Sequence, residues 1–145
     1  MKNNDNLFYT CSLIEYIARR SKNCRDDIVK CLDADLKRIY SYADVFHCEP
    51  IEKVADDFMQ RNAISDGNFD NLTGCKFIVP DYWDIGEVFS RLIEDCYEEK
   101  NVIQGIKEVY GSWLAKRILN FNADLYYQSR EYLALCYKEG RIIPD

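Results

Sequence analysis

A helical spacing of apolar residues runs through most of this chain and is interrupted once, between Ile64 and Asp81. On both sides of the interruption, apolar side chains recur three or four positions apart, the spacing that places them on one face of an α-helix. Strand-like alternation is weak, and only the stretch 76–79 could pair as a strand. The pattern predicts an all-α fold, a single irregular bundle of six or seven helices with one long central loop.

Residues that favour helix ends support the same division. Asp81, followed three positions later by Asp84, has the spacing of a capping box at the start of a helix. Ser129 is a favourable N-terminal cap for a last helix of about ten residues, and Gly140 is a favourable C-terminal cap. Asp5 or Asn6 is predicted to cap the first helix, Asn23 to cap the second, and Asn101 with Gln104 to form another capping box, while Pro50 is expected as a first helical residue. The helices from Ala34 and Asn101 are predicted to run to His47 and Leu119. Gly86, inside the helix that begins at Asp81, suggests a close approach of another helix.

The length of the chain, 145 residues, is that of one domain of ordinary size. Area scaling predicts that folding buries roughly 69% of the surface that the unfolded chain exposes. That burial is enough for an apolar core without disulfide bonds. We therefore expect one helical domain over 1–145, which could divide into halves 1–63 and 82–145 joined by loop 64–81.

The charge balance bears on the kind of partner. The formal net charge is −6 and the pI is about 4.9, and an acidic surface repels phosphate backbones and anionic lipid headgroups. We expect neither nucleic acid nor a membrane as a partner, and a basic protein matches the charge better. No apolar run approaches the roughly 20 residues of a membrane span, and the N-terminal pattern is amphipathic, so the expected location is the cytoplasm.

The cysteines do not have the pattern of a disulfide scaffold. There are seven of them, an odd number, with irregular gaps and no C-x-x-C. Reduced thiols that serve as small buried apolar groups fit better. Four of them fall on predicted apolar helix faces: Cys11, Cys31, Cys96 and Cys136.

The sequence offers little catalytic chemistry. His47 is the only histidine, and Cys48 follows it. Consecutive residues on a helix do not face each other, so a Cys–His nucleophile would require the backbone to turn there. A zinc site needs four ligands, usually in close pairs, which one histidine and scattered cysteines do not supply. We expect no catalytic residue, no metal and no cofactor.

The central loop has a partial likeness to a calcium loop. Asp66, Asn68 and Asp70 stand at the first, third and fifth positions of the template. The template then requires glycine at the sixth position and glutamate at the twelfth, where this chain has Asn71 and Phe77. The alternative interpretation is a turn, since aspartate, glycine and asparagine are the residues that turns require.

Aromatic residues near the loop are the strongest binding candidates. Tyr82 and Trp83, Phe69, and the pair Tyr126 and Tyr127 do not all fit the inward faces of helices. Exposed aromatic side chains beside an irregular segment are typical binding anchors, although they could also form a small cluster that covers the loop. The predicted partner-binding residues are Asp66, Asn68, Phe69, Asp70, Tyr82 and Trp83.

Three stretches carry a resemblance to a known group of proteins: FYTCSLIEYIAR at 8–19, YADVFHC at 42–48 and VPDYWDIG at 79–86. Together they resemble small uncharacterised helical proteins of gut Firmicutes, some of which are encoded beside genes for ADP-ribosyltransferase-like toxins. The similarity covers less than a third of the chain and includes no catalytic motif. It implies an association with a toxin that the protein neutralises, and it brings no site residues with it.

The leading hypothesis is a non-enzymatic cytoplasmic protein-interaction module, antitoxin- or immunity-like, which neutralises a partner by occluding a cleft. The acidity, the lack of a catalytic set and the aromatic loop favour it. One alternative is a small cysteine-dependent enzyme that uses Cys48, His47 and a carboxylate. Another is a helical homo-oligomer with a purely structural role.

Overall fold

The computed structural model describes residues 4–144 and, in that range, contains helices and no strand. The all-α prediction is therefore confirmed. Three short 3-10 helices cover Asp33–Asp35, Glu99–Asn101 and Leu125–Tyr127. The α-helices of the described range are α1 (Asn4–Ser21), α2 (Arg25–Cys31), α3 (Leu36–Ser41), α4 (Ala43–Phe46), α5 (Ile51–Arg61), α6 (Tyr82–Cys96), α7 (Val102–Tyr110), α8 (Trp113–Ile118) and α9 (Arg130–Glu139).

These nine helices exceed the predicted six or seven because two predicted helices are broken. The segment expected to run from Ala34 to His47 turns at Tyr42, where φ is −115° and ψ is 24°. The segment expected to reach Leu119 stops before Ser112, whose side chain accepts a hydrogen bond from the Ala115 N–H and starts α8. Apolar spacing continues through both breaks, so the periodicity does not reveal them.

The helix ends with the clearest capping residues are confirmed. Asp81 Oδ1 accepts from the Asp84 N–H at 2.7 Å, and Asp84 Oδ2 accepts from the Asp81 N–H at 3.2 Å, which together form the predicted capping box. Ser129 caps α9, and Gly140 ends it with a φ of 75°. Glycine adopts that left-handed conformation without the steric penalty of a Cβ.

Three other predicted helix starts are corrected. Cys24, not Asn23, is the N-cap of α2, because the Asn23 carboxamide bonds to the loop instead. Pro50 precedes α5 as its N-cap rather than serving as its first helical residue. Asn101 precedes α7 but makes no side-chain capping bond.

The core forms around α1, which contacts α2, α3, α4, α5 and α6. Its most extensive partner is α6, and the two helices are antiparallel, since Tyr82 lies against Tyr16 while Gly86 lies against Ser12. A Cβ on Gly86 would stand 2.8 Å from the Cα of Ser12. The close helix approach expected at this glycine is therefore present. Helices from both sides of the long loop share one apolar core.

An ion pair lies inside this core. Glu15 on α1 and Arg25 at the start of α2 are both buried, and the Arg25 Nε and Nη2 atoms lie 3.1 Å from Glu15 Oε1. Burial raises the pKa of the Glu15 carboxyl, while the charges of Arg25 and Arg19 oppose that shift. Breaking such a pair leaves a buried charge without compensation, so each partner depends on the other.

The thiol prediction is corrected at one position. Among the described residues, no disulfide bond joins any of the seven cysteines, and Cys11 and Cys136 are buried as expected. Cys96 is half-buried, whereas Cys31 is exposed because it ends α2 and lies outside the core face. In addition, none of the helices in the described range combines the length and apolar character that spanning a bilayer would need.

Candidate partner-binding groove

The loop between α5 and α6 has no regular structure, yet hydrogen bonds fix its first half to the end of α1. The Gly67 N–H donates to the Ser21 carbonyl oxygen, and the Phe69 N–H donates to that of Lys22, both at 2.8 Å. Gly67 is required by the close approach of the two backbones, since a Cβ there would lie 2.5 Å from the Lys22 oxygen. The loop therefore begins as a segment bonded to the α1–α2 corner.

Asp70 closes a turn in the middle of the loop. Its Oδ1 accepts from the N–H groups of Leu72 at 2.8 Å and Thr73 at 3.1 Å, and its Oδ2 accepts from the Thr73 hydroxyl. The Thr73 hydroxyl, followed by the two backbone N–H groups, lowers the pKa of the Asp70 carboxyl to about 2. All the hydrogen bonds that this carboxylate makes are thus local and serve the turn.

The second half of the loop is bonded to the segment after α8. The Asn71 carboxamide donates to the Leu119 carbonyl oxygen at 2.8 Å. The Asn122 carboxamide bonds to two loop residues, donating to the Gly74 oxygen at 3.1 Å and accepting from the Lys76 N–H at 2.7 Å. Polar side chains therefore help to position this part of the loop, together with Leu72 and Cys75, which pack against the core.

The loop is also tied to the buried ion pair. Arg25 Nη1 donates to the Oδ1 atom of Asn71 at 3.4 Å, while the other end of the same guanidinium holds Glu15. Asn71 in turn bonds to the backbone after α8. One chain of polar contacts thus runs from the centre of the core to the loop.

Directly after these anchors, apolar side chains point into solvent. Phe77 is 64% exposed, Ile78 is 91% exposed, and Tyr127 is 66% exposed. They border an open groove of about 970 Å³ between the loop and the segment after α8, which we call the loop groove. Its lining consists of Lys76, Phe77, Ile78, residues 121–124, Tyr126 and Tyr127.

One side of the loop groove is a row of aromatic rings that meet edge-on. Phe121 is buried, and the Tyr126 ring meets it edge-on with a centroid distance of 5.7 Å. Tyr127 continues the series at 4.8 Å from Tyr126. Burial, followed by the nearby Tyr127, Cys75 and Asp84, raises the pKa of the Tyr126 hydroxyl, so that side chain is a neutral hydrogen-bonding group near pH 7.

Two of the six predicted partner-binding residues lie between α1 and α6. The Tyr82 ring meets Tyr16 edge-on at 5.1 Å, and the Trp83 ring lies 5.5 Å from Phe8 and 6.3 Å from His47. Both side chains are half-buried. They cover α1, whereas the alternative role that the sequence left open was a small cluster that covers the loop.

The other four lie on the loop, beside the C-terminal end of α1. Asp66, Asn68, Phe69 and Asp70 are exposed there, Phe69 to the extent of 37%. The Trp83 contact at Phe8 and the loop contact at Ser21 are separated by about 20 Å along the helix. The structure therefore divides the predicted set in two, and none of its members lines the loop groove. Their role in binding a partner stays a prediction.

Sequence reasoning missed Phe77 and Ile78 as binding candidates. The signal was present, because three consecutive apolar residues precede Pro80 in a segment without helical spacing. Such a run is also expected of a buried strand, and its exposure depends on the anchors at Gly74 and Lys76. Of the aromatic residues that the sequence singled out, Tyr126 and Tyr127 line the loop groove.

The residues of the alternative enzyme hypothesis are not arranged as a nucleophile and its base. The Cys48 thiol donates to the Asp44 carbonyl oxygen at 3.4 Å, and the His47 ring contacts those of Tyr9 and Trp83. Within residues 4–144, no three His, Cys, Asp or Glu side chains are grouped so that they could hold a metal ion. No protein-family model, curated protein or solved structure matches this chain.

Proposed function

We propose that this protein is a non-enzymatic interaction module that binds a partner protein through the loop groove. The observation that carries the proposal is the exposure of Phe77, Ile78 and Tyr127 around one concave surface. Exposed apolar patches bordered by polar residues are typical of interaction sites, because water leaves them when a partner binds. Single apolar side chains scattered over a surface would carry no such implication.

The anchoring of the loop supports the proposal energetically. Hydrogen bonds from Asn122 and Asn71 hold the backbone around the loop groove before any partner arrives. A binding surface that is already ordered loses less conformational entropy on association. Phe77 and Ile78 can therefore act as fixed anchors that enter a cleft on the partner.

Charge favours a basic partner. Asp124 lies in the lining of the loop groove, and Asp84 is close enough to affect Tyr126. Lys76 is the one basic residue of that lining. The whole chain carries a formal charge of −6, and charge complementarity of this kind accelerates encounter. A basic toxin whose active cleft is occluded by Phe77 and Ile78 agrees with the resemblance described above and is the neutralising role that we propose.

The first experiment uses the wild-type protein and two variants as baits. Each variant carries one new carboxylate, at a different position. Ile78→Asp places a carboxylate at the loop groove, and Val45→Asp makes the matched change at an apolar side chain of α4 that is 58% exposed. Both positions are on the surface, so neither change should alter the fold, which far-UV circular dichroism can check. We expect the wild-type and Val45→Asp baits to recover the same basic protein from a lysate of the source organism and the Ile78→Asp bait to lose it.

The second step uses the recovered protein in purified form. At an anchor position, Ile78→Asp should weaken its binding by about 2 kcal/mol or more, roughly 30-fold. Binding should weaken as salt rises, and if the partner has an activity, saturating wild-type protein should abolish it. Equal recovery with all three baits would contradict the proposal. So would concentration-dependent self-association that depends on Ile78, which would support the oligomer alternative.

A further inference from the structure

The loop groove offers a partner side chains rather than a free strand edge. Its backbone bends at Lys76 and Phe77, and the Phe77 carbonyl oxygen accepts a hydrogen bond from the Cys75 thiol at 3.4 Å. A segment that bends and uses its own acceptor is not an open edge for strand pairing. The kind of segment that fits the groove is therefore set by its rings, its hydroxyl groups and its charged side chains.

The charges of the lining balance each other. Lys76 supplies one positive charge, Asp124 supplies one negative charge, and the other lining residues are uncharged. The net charge of the whole chain acts at long range on an approaching partner, but the groove itself selects neither a basic nor an acidic segment. The complementary occupant is a segment without charged side chains, since a charge taken into the groove would lose water without a net counter-charge.

The aromatic rings of the lining form a corner. The Tyr126 and Tyr127 rings are inclined at 84°, with centroids 4.8 Å apart, and the buried Phe121 ring supports Tyr126. The exposed ring of Phe77 borders the same groove. Rings in fixed positions present flat apolar faces, and a rigid apolar side chain loses little conformational entropy when it packs on them.

Unpaired donors accompany the rings. Within the described part of the chain, the hydroxyls of Tyr126 and Tyr127 and the ammonium group of Lys76 have no hydrogen-bond partner. Burial raises the pKa of Tyr126, so its hydroxyl keeps its proton near pH 7. A polyproline II helix has no internal hydrogen bonds, which leaves its carbonyl oxygens free to accept. Proline also has no N–H group that would need an acceptor.

We propose that the partner docks into the loop groove through a proline-rich segment in the polyproline II conformation. Its proline rings pack on Tyr126, Tyr127 and Phe77, and its carbonyl oxygens accept hydrogen bonds from the two tyrosine hydroxyls. Aromatic-lined grooves bind such segments because the helix is already formed in the free chain. This inference rests on the proposed function and specifies what the partner presents. The three prolines of this chain are each isolated, so a second copy does not supply the segment.

Three synthetic peptides test the recognition, with the full isotopically labelled chain observed by NMR. The first is N-acetyl Ala-Pro-Pro-Ala-Pro-Pro-Ala amide, the second is its mirror image built from D-amino acids, and the third has leucine in place of the first proline of each pair. We expect the first to shift the amide signals of Phe77, Ile78 and Tyr127 saturably. The mirror image reverses the hand of the helix, and leucine restores N–H groups and flexibility. Both should therefore bind at least about fivefold more weakly.

Several results would overturn the inference. Equal binding of the mirror-image peptide would do so, because it would show that apolar surface alone drives binding. Tighter binding of the leucine peptide would have the same meaning, since that peptide is more apolar. The lack of a saturable shift with the first peptide at several millimolar would also overturn it. If the baits described above recover a partner through Ile78 while the proline peptide does not bind, this inference fails and the proposed function stands.

Substitutions at Tyr127 separate the ring from the hydroxyl. Tyr127→Phe removes only the donor, whereas Tyr127→Ala removes both, and the fold should tolerate either change because this side chain is 66% exposed. We expect the proline peptide to bind about threefold more weakly to Tyr127→Phe and at least about tenfold more weakly to Tyr127→Ala. Tyr42→Ala, the matched change at a tyrosine that is 57% exposed outside the groove lining, should leave binding unchanged. Equal binding by all of these variants would overturn the inference.

Discussion

The helical core and the loop between α5 and α6 differ in how far apolar packing and hydrogen bonds fix their backbones. In the core, α1 is covered by five other helices, and apolar side chains such as Leu13 and Ile17 lose nearly all contact with solvent. In the loop, Leu72 and Cys75 pack against the core, hydrogen bonds from Asn122 hold the backbone on either side of Cys75, and Phe77 and Ile78 remain outside. The comparison shows that a segment can be ordered while some of its apolar residues, here Phe77 and Ile78, stay exposed.

The two regions meet at Arg25. Its guanidinium holds Glu15 inside the core and reaches Asn71 on the loop. The core therefore supplies a polar anchor to a loop in which only a few side chains, such as Leu72 and Cys75, pack against the core. Changes on the core side of Arg25 should affect global stability, and changes on the loop side should affect mainly the loop.

The largest expected effect comes from breaking this junction. Arg25→Met leaves Glu15 buried without its main partner, and we expect a loss of about 3–5 kcal/mol in the free energy of unfolding. Urea unfolding followed by circular dichroism measures it. The double variant Glu15→Met and Arg25→Met removes both charges and should recover a large part of the loss. A loss below about 1 kcal/mol in the single variant would mean that the pair does not couple core and loop as described.

The next effect compares glycines of the two regions. Gly86→Ala places a Cβ 2.8 Å from the Ser12 Cα in the α1–α6 contact, and overpacking there should cost about 1–3 kcal/mol. Gly74→Ala is the matched change in the loop, where a Cβ meets nothing within 4 Å, so the change in unfolding free energy should stay within about 0.5 kcal/mol. Thermal unfolding of the two variants measures both stability changes. Equal losses of stability would contradict the expected difference between core and loop.

A smaller global effect is expected from loosening the loop itself. Asn122→Ala removes the bonds to Gly74 and Lys76, and since these groups are near solvent we expect a global loss of no more than about 1 kcal/mol. Hydrogen exchange at the Lys76 amide should nevertheless accelerate by tenfold or so, because its acceptor is gone. Asn68→Ala, an exposed change in the same loop, is the control. Similar exchange in both variants would show that Asn122 does not hold the loop.

The smallest effect depends on pH. The pKa of Asp70 is lowered to about 2 by hydrogen bonds within its turn. Because the folded-state value lies below the unfolded value of 3.8, the contribution of Asp70 to stability is present above that unfolded value and is lost as the pH falls through about 2. Carboxyl NMR shifts should show the low titration, and the amide signals of Leu72 and Thr73 should follow it. Asp70→Asn should remove that dependence, whereas titration near pH 4 would refute the assigned bonds.

The helix ends that could be predicted from the sequence are those set by interactions between near neighbours in the chain. The capping box of Asp81 and Asp84, the Ser129 cap and the Gly140 terminus all depend on residues within a few positions of each other. The breaks at Tyr42 and Ser112 were not predicted, because apolar spacing continues across them. Asn23 was interpreted as a local cap, yet its carboxamide bonds to Ser65, 42 positions away.

The candidate site was predictable only in part, because it also depends on contacts between residues far apart in the sequence. The sequence singled out the loop as the candidate functional segment, and Tyr126 and Tyr127, which line the loop groove, were among the aromatic residues that it named. Trp83 could not be assigned to the contact with Phe8, since that contact requires the antiparallel approach of α6 to α1. Phe77 and Ile78 could not be recognised as exposed, because a run of apolar residues by itself indicates burial.

The amino-acid sequence alone determined that this protein is helical, where its strongest caps lie and where its long loop begins and ends. These features follow from side-chain spacing and from hydrogen bonds between near neighbours in the chain. The tertiary structure alone decided which apolar residues stay in solvent. That outcome depends on bonds from Asn122 and Asn71 between segments nearly 50 residues apart, and side-chain periodicity carries no information about which distant backbone a polar group will meet.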